Sequence, residues 1–365
     1  MPLRPARTAL CERLGIEFPI VQAPMAGGWT TPALVAAVAN AGGLGMLAAA
    51  RIAADELRAQ IDAVRAATDR PFGVNFLLAP PDAEPRDAAA MQRVLDEGRA
   101  ALGLPPGQTT SPALPPSQLQ QQIDLVCAAR IPIVSFAMGD PTPFVDLLEA
   151  TGCFVIAMAT TVDDALRLEA AGCDAIVAQG GDAGGHRSTL DTPCEDVPLV
   201  GTFALVPQVV DAVRVPVIAA GGVMDGRGVL AALALGAQAA QLGTRFLLAS
   251  ESAAFGAYRR QLLEAVETDT VVTRALTGRP ARALRNALVR AVERAGTPPL
   301  PWPYQALVAN DLYRAAIDRD DADWTPLLAG QGLRLARSEA PAGEIVTALQ
   351  DELLRALENI SRRAT

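Results

Sequence analysis

The chain has 365 residues, 50% of them hydrophobic and 19% charged, which excludes global disorder and provides for a sizeable core. Its 31 cationic and 40 acidic side chains give a net charge of -9 with no basic tract, so a nucleic-acid or anionic-membrane surface is not expected. Every cation is arginine, and the absence of lysine excludes Schiff-base chemistry, a pyridoxal phosphate anchor and a P-loop.

The N-terminal stretch carries Arg4 and Arg7 but no apolar segment long enough for a signal peptide. Residues 18–50 are uncharged, yet Pro19, Pro24, Pro32, Gly27, Gly28, Gly42, Gly43 and Gly45 break them repeatedly. They read as strand, loop, helix, strand rather than as a membrane span. The first units are a strand over 20–23, a helix over 32–41, a strand over 44–48, a helix over 54–68 and a strand over 72–77. Residues 80–116, rich in proline and alanine, are too long for an ordinary connection and read as an insertion with a helix near 87–101.

The alternation then resumes. Helices are expected over 118–129, 142–151, 162–171, 203–213 and 226–235. Strands are expected over 132–136, 154–157, 175–179, 216–219 and 239–242. Repeated βα units demand a parallel sheet, and eight of them over about 250 residues favour a TIM (β/α)8 barrel over an open doubly wound sheet. The expected division is a barrel over 1–250 with an insertion at about 80–117, then two C-terminal parts. A helical and loop addition over 251–340 covers the active-site side, and a C-terminal helix over 341–365 packs on the barrel. The acidic run Asp318, Asp320, Asp321 and Asp323 lacks the glycine and the terminal carboxylate of a calcium loop, so no metal is expected there. The five cysteines, Cys11, Cys127, Cys153, Cys173 and Cys194, show no CxxC spacing and read as reduced, mostly buried thiols of a cytoplasmic protein.

In such a barrel the active site lies at the C-terminal strand ends, with phosphate groups at the loops after strands seven and eight. Here those loops are Gly221-Gly222 and Gly243-Thr244. Glycines admit a phosphate to backbone N–H groups, and Thr244 adds a hydroxyl. Either pair alone reads equally as a tight turn; together they favour a phosphate-bearing ligand. After the sixth strand, Gln179 to Arg187 carry four glycines in six residues, Gly180, Gly181, Gly184 and Gly185. That composition argues against a helix or a strand and for a bare backbone surface under a flat ligand. The single histidine, His186, closes this segment; with a pKa near neutrality it would serve as base or hydrogen-bond donor. Gln179 and Asn75 offer uncharged amides at strand ends, for a ring edge or for the barrel rim itself. Ala23, Pro24 and Met25 follow the first strand, where Met25 is either a ligand contact or core packing. Arg187 and Arg245 read more readily as surface or ion-pair residues than as substrate contacts.

These residues fall in seven segments, QAPMAG at Gln22, NAGGLG at Asn40, GVN at Gly73, SFAMGDP at Ser135, QGGDAGGHRS at Gln179, PVIAAGGV at Pro216 and QLGTRF at Gln241. In that order they resemble the nitronate monooxygenases, formerly called 2-nitropropane dioxygenases. The resemblance spans about residues 14–250. It implies a TIM barrel binding FMN non-covalently that oxidises alkyl nitronates, such as propionate 3-nitronate, with O2 to carbonyl compounds and nitrite. By position it implies His186 as the active-site histidine, abstracting a proton from a nitroalkane or orienting a nitronate. It implies flavin contacts at Ala23, Pro24, Met25, Asn75, Gln179, Gly180, Gly184 and Gly185, and phosphate contacts at Gly221, Gly222, Gly243 and Thr244. Asp182 stands where the family usually has glutamate. Related FMN barrels share the GGH segment but use NAD(P)H to reduce enoyl thioesters or quinones, which is the alternative reading. Trp302 and Tyr304, in a proline-stiffened loop, read either as a lid over the flavin or as packing. The implied partners are a small-molecule substrate and O2; a homo-oligomer stays open.

Overall fold

The computed structural model describes residues 7–80, 82, 87–110, 112–191, 196–336 and 338–364, with residue 364 described by its backbone only. Parts of the expected insertion and Cys194 lie outside the described residues. Eight parallel strands form the barrel wall: β1 (Ile20–Gln22), β2 (Gly45–Ala48), β3 (Phe72–Leu77), β4 (Ile133–Ala137), β5 (Phe154–Ala159), β6 (Ala175–Gln179), β8 (Val217–Ala220) and β9 (Ala239–Leu242). A two-residue strand, β7 (Gly185–His186), leaves the wall after β6. The strands are continuous apolar runs because both faces are covered, by side chains inside and helices outside.

The sheet closes where β1 meets β2. Only one bridge, Val21 to Leu44, joins them, with Leu44 N donating to Ile20 O and Gln22 N to Leu44 O, each at 2.9 Å. The side chain of Gln22 extends this seam. It is fully buried, its Oε1 accepts from Met46 N at 3.0 Å, and its amide nitrogen donates to Ala23 O. A side chain thus supplies the acceptor that a longer β1 would have offered from its backbone.

Inside the barrel, Val21, Met46, Ile133, Ile156, Val177 and Ile218 pack in layers. The helix Ala9–Leu14 plugs the N-terminal end with Leu10, Cys11 and Leu14. Gly73 is needed here, because a Cβ on it would lie 2.5 Å from the Met46 sulfur. Outside, the helices cover the wall, and the 23-residue helix Ala342–Ala364 closes this layer through Ile345, Val346, Leu349 and Leu353. It lies so close to the helix Gly226–Ala234 that a Cβ on Gly226 would be 2.3 Å from Leu353 N.

Residues after 250 are not purely helical. Strands β10 (Thr270–Thr273) and β11 (Ala281–Leu284) form an antiparallel sheet whose third member is β7. This corrects two expectations: a strand does form in the glycine-rich segment, and the addition contains a sheet. The β-branched run of β10 supports extended backbone, and β11 gives Gly185 and His186 their partners. The insertion helix Ala89–Ala101 and the addition are not separate appendages either. Met91 and Leu95 share one core with Leu288, Val292, Leu312 and Trp324.

Replacing Gln22 with methionine preserves side-chain volume and leaves Met46 N–H buried without an acceptor. The expected loss is about 1–3 kcal/mol, read as a lower urea midpoint at unchanged slope; an unchanged midpoint would show that the seam does not depend on this side chain.

Candidate active site

His186 stands at the C-terminal side of the barrel, held from three directions. Its backbone pairs with Ala281 in β11, and its carbonyl accepts from Gln179 Nε2 at 2.9 Å. Its ring nitrogen Nε2 lies 2.8 Å from Thr277 Oγ1. The edge of its ring meets Trp302, with centroids 5.3 Å apart at 75°. Thr277 Oγ1 in turn donates to Arg279 O at 3.3 Å. That pattern is satisfied when Nε2 carries the ring proton and Nδ1 the free lone pair.

Burial pushes the His186 pKa down to about 4, and the charges of Arg279 and Arg51 add to the effect. The ring is therefore a neutral imidazole at pH 7, not the near-neutral titrating group expected from sequence. Among the described residues no acidic group offsets this shift.

Gln179, at the end of β6, uses both ends of its amide on the chain: Nε2 on His186 O and Oε1 on Ser188 N at 3.1 Å. One N–H remains for a ligand. Asn75, buried at the end of β3, donates to Ser135 O at 3.2 Å and Ser135 Oγ at 2.9 Å. Its Oδ1 is engaged in neither bond. Ala23, Pro24 and Met25 are partly exposed after β1; Ala23 N donates to Leu242 O, and Met25 N to Thr30 Oγ1, both at 2.9 Å. Met25 also packs against the apolar layer outside the wall.

The glycines divide into two groups. Gly180, Gly184 and Gly221 lack a Cβ because loops pack there: it would lie 2.0 Å from Thr202 Oγ1, 2.6 Å from Gly330 N and 2.5 Å from Thr202 Oγ1, respectively. Gly185, Gly222 and Gly243 are different. A Cβ on Gly185 meets nothing within 4 Å, and on Gly222 and Gly243 nothing closer than 3.4 Å and 3.7 Å. Gly222, with φ 69°, adopts the left-handed turn that glycine takes at no cost. Thr244 Oγ1 accepts from Gly330 N at 3.0 Å, which ties the addition to the barrel. Gln331 N donates to Asp182 O at 2.9 Å, and Asp182 Oδ2 accepts from Thr202 N at 2.6 Å. Asp182 thus serves as the clamp between the glycine segment and the helix Thr202–Ala212.

Arg187 is neither a surface nor an ion-paired residue. It is fully buried and donates to Gly180 O at 2.7 Å and Gln179 O at 2.9 Å, while its Nε has no partner. Burial, with Arg282 nearby, lowers its pKa to about 10. Arg245 donates to Ser338 O. Trp302 meets the His186 ring and is pinned by Asp82, which accepts from its backbone N–H at 3.0 Å. Tyr304 packs in the second core instead. Thr277, Arg279, Arg51 and Gln331 were invisible from sequence, since no local pattern marks them. Among the described residues no group of three or more His, Cys, Asp or Glu is placed to hold a metal. Asp321 instead caps its own turn, accepting from Asp323 N and Trp324 N. Cys153 and Cys173 are buried thiols with pKa values pushed up to about 12 by desolvation. No helix among the described residues is long and apolar enough to cross a membrane.

The nitronate monooxygenase family model matches residues 7–352. A probable nitronate monooxygenase of Staphylococcus aureus (strain JH9) is 38% identical over 351 residues, 95% of this chain and 97% of that one. One from Staphylococcus saprophyticus is 40% identical over 337 residues, 90% of this chain and 93% of its own length. Among solved structures, a nitroalkane oxidase from Streptomyces ansochromogenes superposes with a TM-score of 0.88 at 39% identity, over 97% of this chain and all of that one. FabK from Thermotoga maritima does so with a TM-score of 0.79 at 32% identity, over 98% and 99%.

Because His186 is the only histidine, its imidazole gives a single 15N signal set. That set is expected to titrate near pH 4 in the folded protein and near 6.5 in urea. The folded value is the lower one, so the unfolded chain binds the extra proton. This contribution to stability is complete above pH 6.5 and is lost as pH falls toward 4. A folded-state midpoint at 6 or above would contradict the electrostatics described here.

Proposed function

The chain belongs to the nitronate monooxygenase family, and from that premise we propose that it oxidises alkyl nitronates with bound FMN and O2, giving carbonyl compounds and nitrite in the cytoplasm. The observation that carries this reading is His186: a neutral imidazole at the barrel mouth, fixed by Thr277 and Trp302 and surrounded by arginine charge. Such a mouth suits an anion that needs no deprotonation.

The chain fits FMN. Gly222 and Gly243, at the ends of β8 and β9, leave room where a side chain would intrude, and the Thr244 hydroxyl has its proton free to donate. Gly221, Gly222, Gly243 and Thr244 would hold the phosphate. The Asn75 Oδ1, the remaining Gln179 N–H and the backbone of Ala23, Pro24, Met25, Gly180, Gly184 and Gly185 would face the ring system. Bound FMN supplies an acceptor for the electrons of the nitronate.

The chain's own residues bind and orient. Arg279 stabilises the nitronate oxygens, and the Trp302 indole limits access of water. When a neutral nitroalkane is offered, Nδ1 of His186 receives its proton. That lone pair is a weak base at a pKa near 4, so proton abstraction is the slow step and the preformed nitronate the better substrate.

The test is anaerobic mixing of the yellow holoprotein with propionate 3-nitronate and, separately, with NADH or NADPH. Bleaching by the nitronate alone, reversed by air with nitrite released, is the expected outcome. Bleaching by the nicotinamide alone would instead move the protein to the reductases. Replacing His186 with asparagine is expected to slow nitroalkane turnover about a hundredfold and nitronate turnover only a few-fold. Equal losses on the two would remove proton abstraction from the role of His186.

A further inference from the structure

Arg187 follows His186 in the chain and braces the glycine segment from within the protein. Its side chain is fully buried, and its fork spans two consecutive carbonyls, Nη1 on Gly180 O at 2.7 Å and Nη2 on Gln179 O at 2.9 Å. Gln179 answers in the opposite sense: its amide donates to His186 O at 2.9 Å and accepts from Ser188 N at 3.1 Å. The side chain at each end of the segment thus holds the backbone of the other end. The backbone of Arg187 is fixed as well, its N–H donating to Pro280 O at 2.9 Å. The next carbonyls are taken up in the same way, Gly181 O by Arg282 Nε at 2.8 Å and Asp182 O by Gln331 N at 2.9 Å. Each carbonyl oxygen from Gln179 to Asp182 therefore accepts from a donor within the protein, and three of these four from a guanidinium.

The charge behind the segment is only partly offset. Arg187 stays cationic at pH 7, since burial lowers its pKa only to about 10. Arg282 is buried too, and its remaining contact is Nη1 on Thr270 Oγ1 at 3.1 Å. Among the described residues neither guanidinium bonds a carboxylate. Asp182, the acid whose charge acts on both, gives its Oδ2 to Thr202 N at 2.6 Å instead. Two cations against one carboxylate leave net positive charge where water is excluded, and buried charge is screened far less than charge at the surface. Such a charge beside a bound redox ring shifts the balance between its oxidised and reduced forms.

We propose that Arg187 is a positioning residue for the flavin: its fork closes the glycine segment into the platform for the ring system, and its buried charge makes that platform hold two-electron-reduced FMN more tightly than oxidised FMN. This rests on the FMN reading above and gives a part in it to a residue that touches neither substrate nor reacting atoms. The electrons come from the nitronate, and Arg187 takes no part in their transfer. The reduced ring is the more electron-rich form, so it gains more from a nearby cation.

The test is the midpoint potential of FMN in the holoprotein, read against a reference dye during slow anaerobic reduction, together with the dissociation constant of oxidised FMN. In the wild type, reduced FMN is expected to bind at least tenfold more tightly than oxidised FMN, which places the midpoint about 30 mV or more above that of free FMN. Arg187→Met keeps much of the length without the charge; it should weaken binding of both forms, and that of reduced FMN at least tenfold more. Arg187→Lys keeps the charge without the fork, so it should also bind both forms more weakly but hold the preference within about twofold of the wild type. Equal weakening of the two forms in Arg187→Met marks a merely structural role and overturns the assignment. A wild-type midpoint at or below that of free FMN also overturns it, and both outcomes leave the FMN reading standing. Should Arg187→Met fail to fold, the wild type and Arg187→Lys decide, and loss of the preference in Arg187→Lys overturns the assignment. A wild-type protein that takes up no FMN overturns both.

Discussion

The pairing of Gly185 and His186 with Ala281 and Arg282 is the contact on which the active-site side of this barrel depends. A lone two-residue strand has no stability of its own. It forms because β11 is already paired with β10, and because Gln179 reaches from the barrel wall to hold both His186 O and Ser188 N. Gly185 takes φ 83° to make the turn into the strand. The result is that one imidazole is fixed simultaneously by the barrel and by the addition. Thr277 and Trp302 then meet it from the addition, at positions some 90 to 115 residues further along the chain.

The same junction explains the local electrostatics. Arg187 and Arg282 are both buried and donate chiefly to carbonyls, Gln179 O and Gly180 O for the first and Gly181 O for the second. Asp182 is the acid whose charge acts on both. Two buried cations facing one carboxylate are costly, and carbonyl dipoles offset only part of that cost. With Arg51 and Arg279 added, the mouth is positive in a protein whose net charge is -9. Net charge thus says nothing of the sign inside one cleft.

The barrel was legible because its signal is local. Strands β3, β6 and β9 coincide with the apolar runs that announce them, and the other wall strands differ by one or two residues at their ends. The place of the candidate histidine was equally legible, since His186 follows the end of β6 by seven residues and so stays on the C-terminal side of the barrel. What sequence hid is non-local. Strand β7 is two residues long and glycine-bearing, and its partners come from the segment following the barrel. The insertion and the addition read as separate pieces because nothing in Met91 or Leu95 announces Leu288 and Leu312 as neighbours. Arg187 read as a surface residue because burial of an unpaired guanidinium violates the usual rule. Three of the glycines read as ligand surface are also required by close packing, against Thr202 and Gly330.

The pKa of His186 and the arginines around it are two consequences of one field. Each positive charge near the ring makes an imidazolium less favourable, which weakens the ring as a base. The same charges stabilise a bound anion, and they do so before any proton moves. A site built for proton abstraction would place a carboxylate behind the imidazole to raise its basicity. Here the ring is backed by a threonine hydroxyl instead, and the charges that act on it are guanidinium groups. That arrangement lowers the basicity of the ring, and it is the feature from which use of a preformed nitronate is proposed. It also makes histidine protonation conditional on the ligand. An anion beside the ring would offset the field of Arg51 and Arg279 and raise the imidazole pKa.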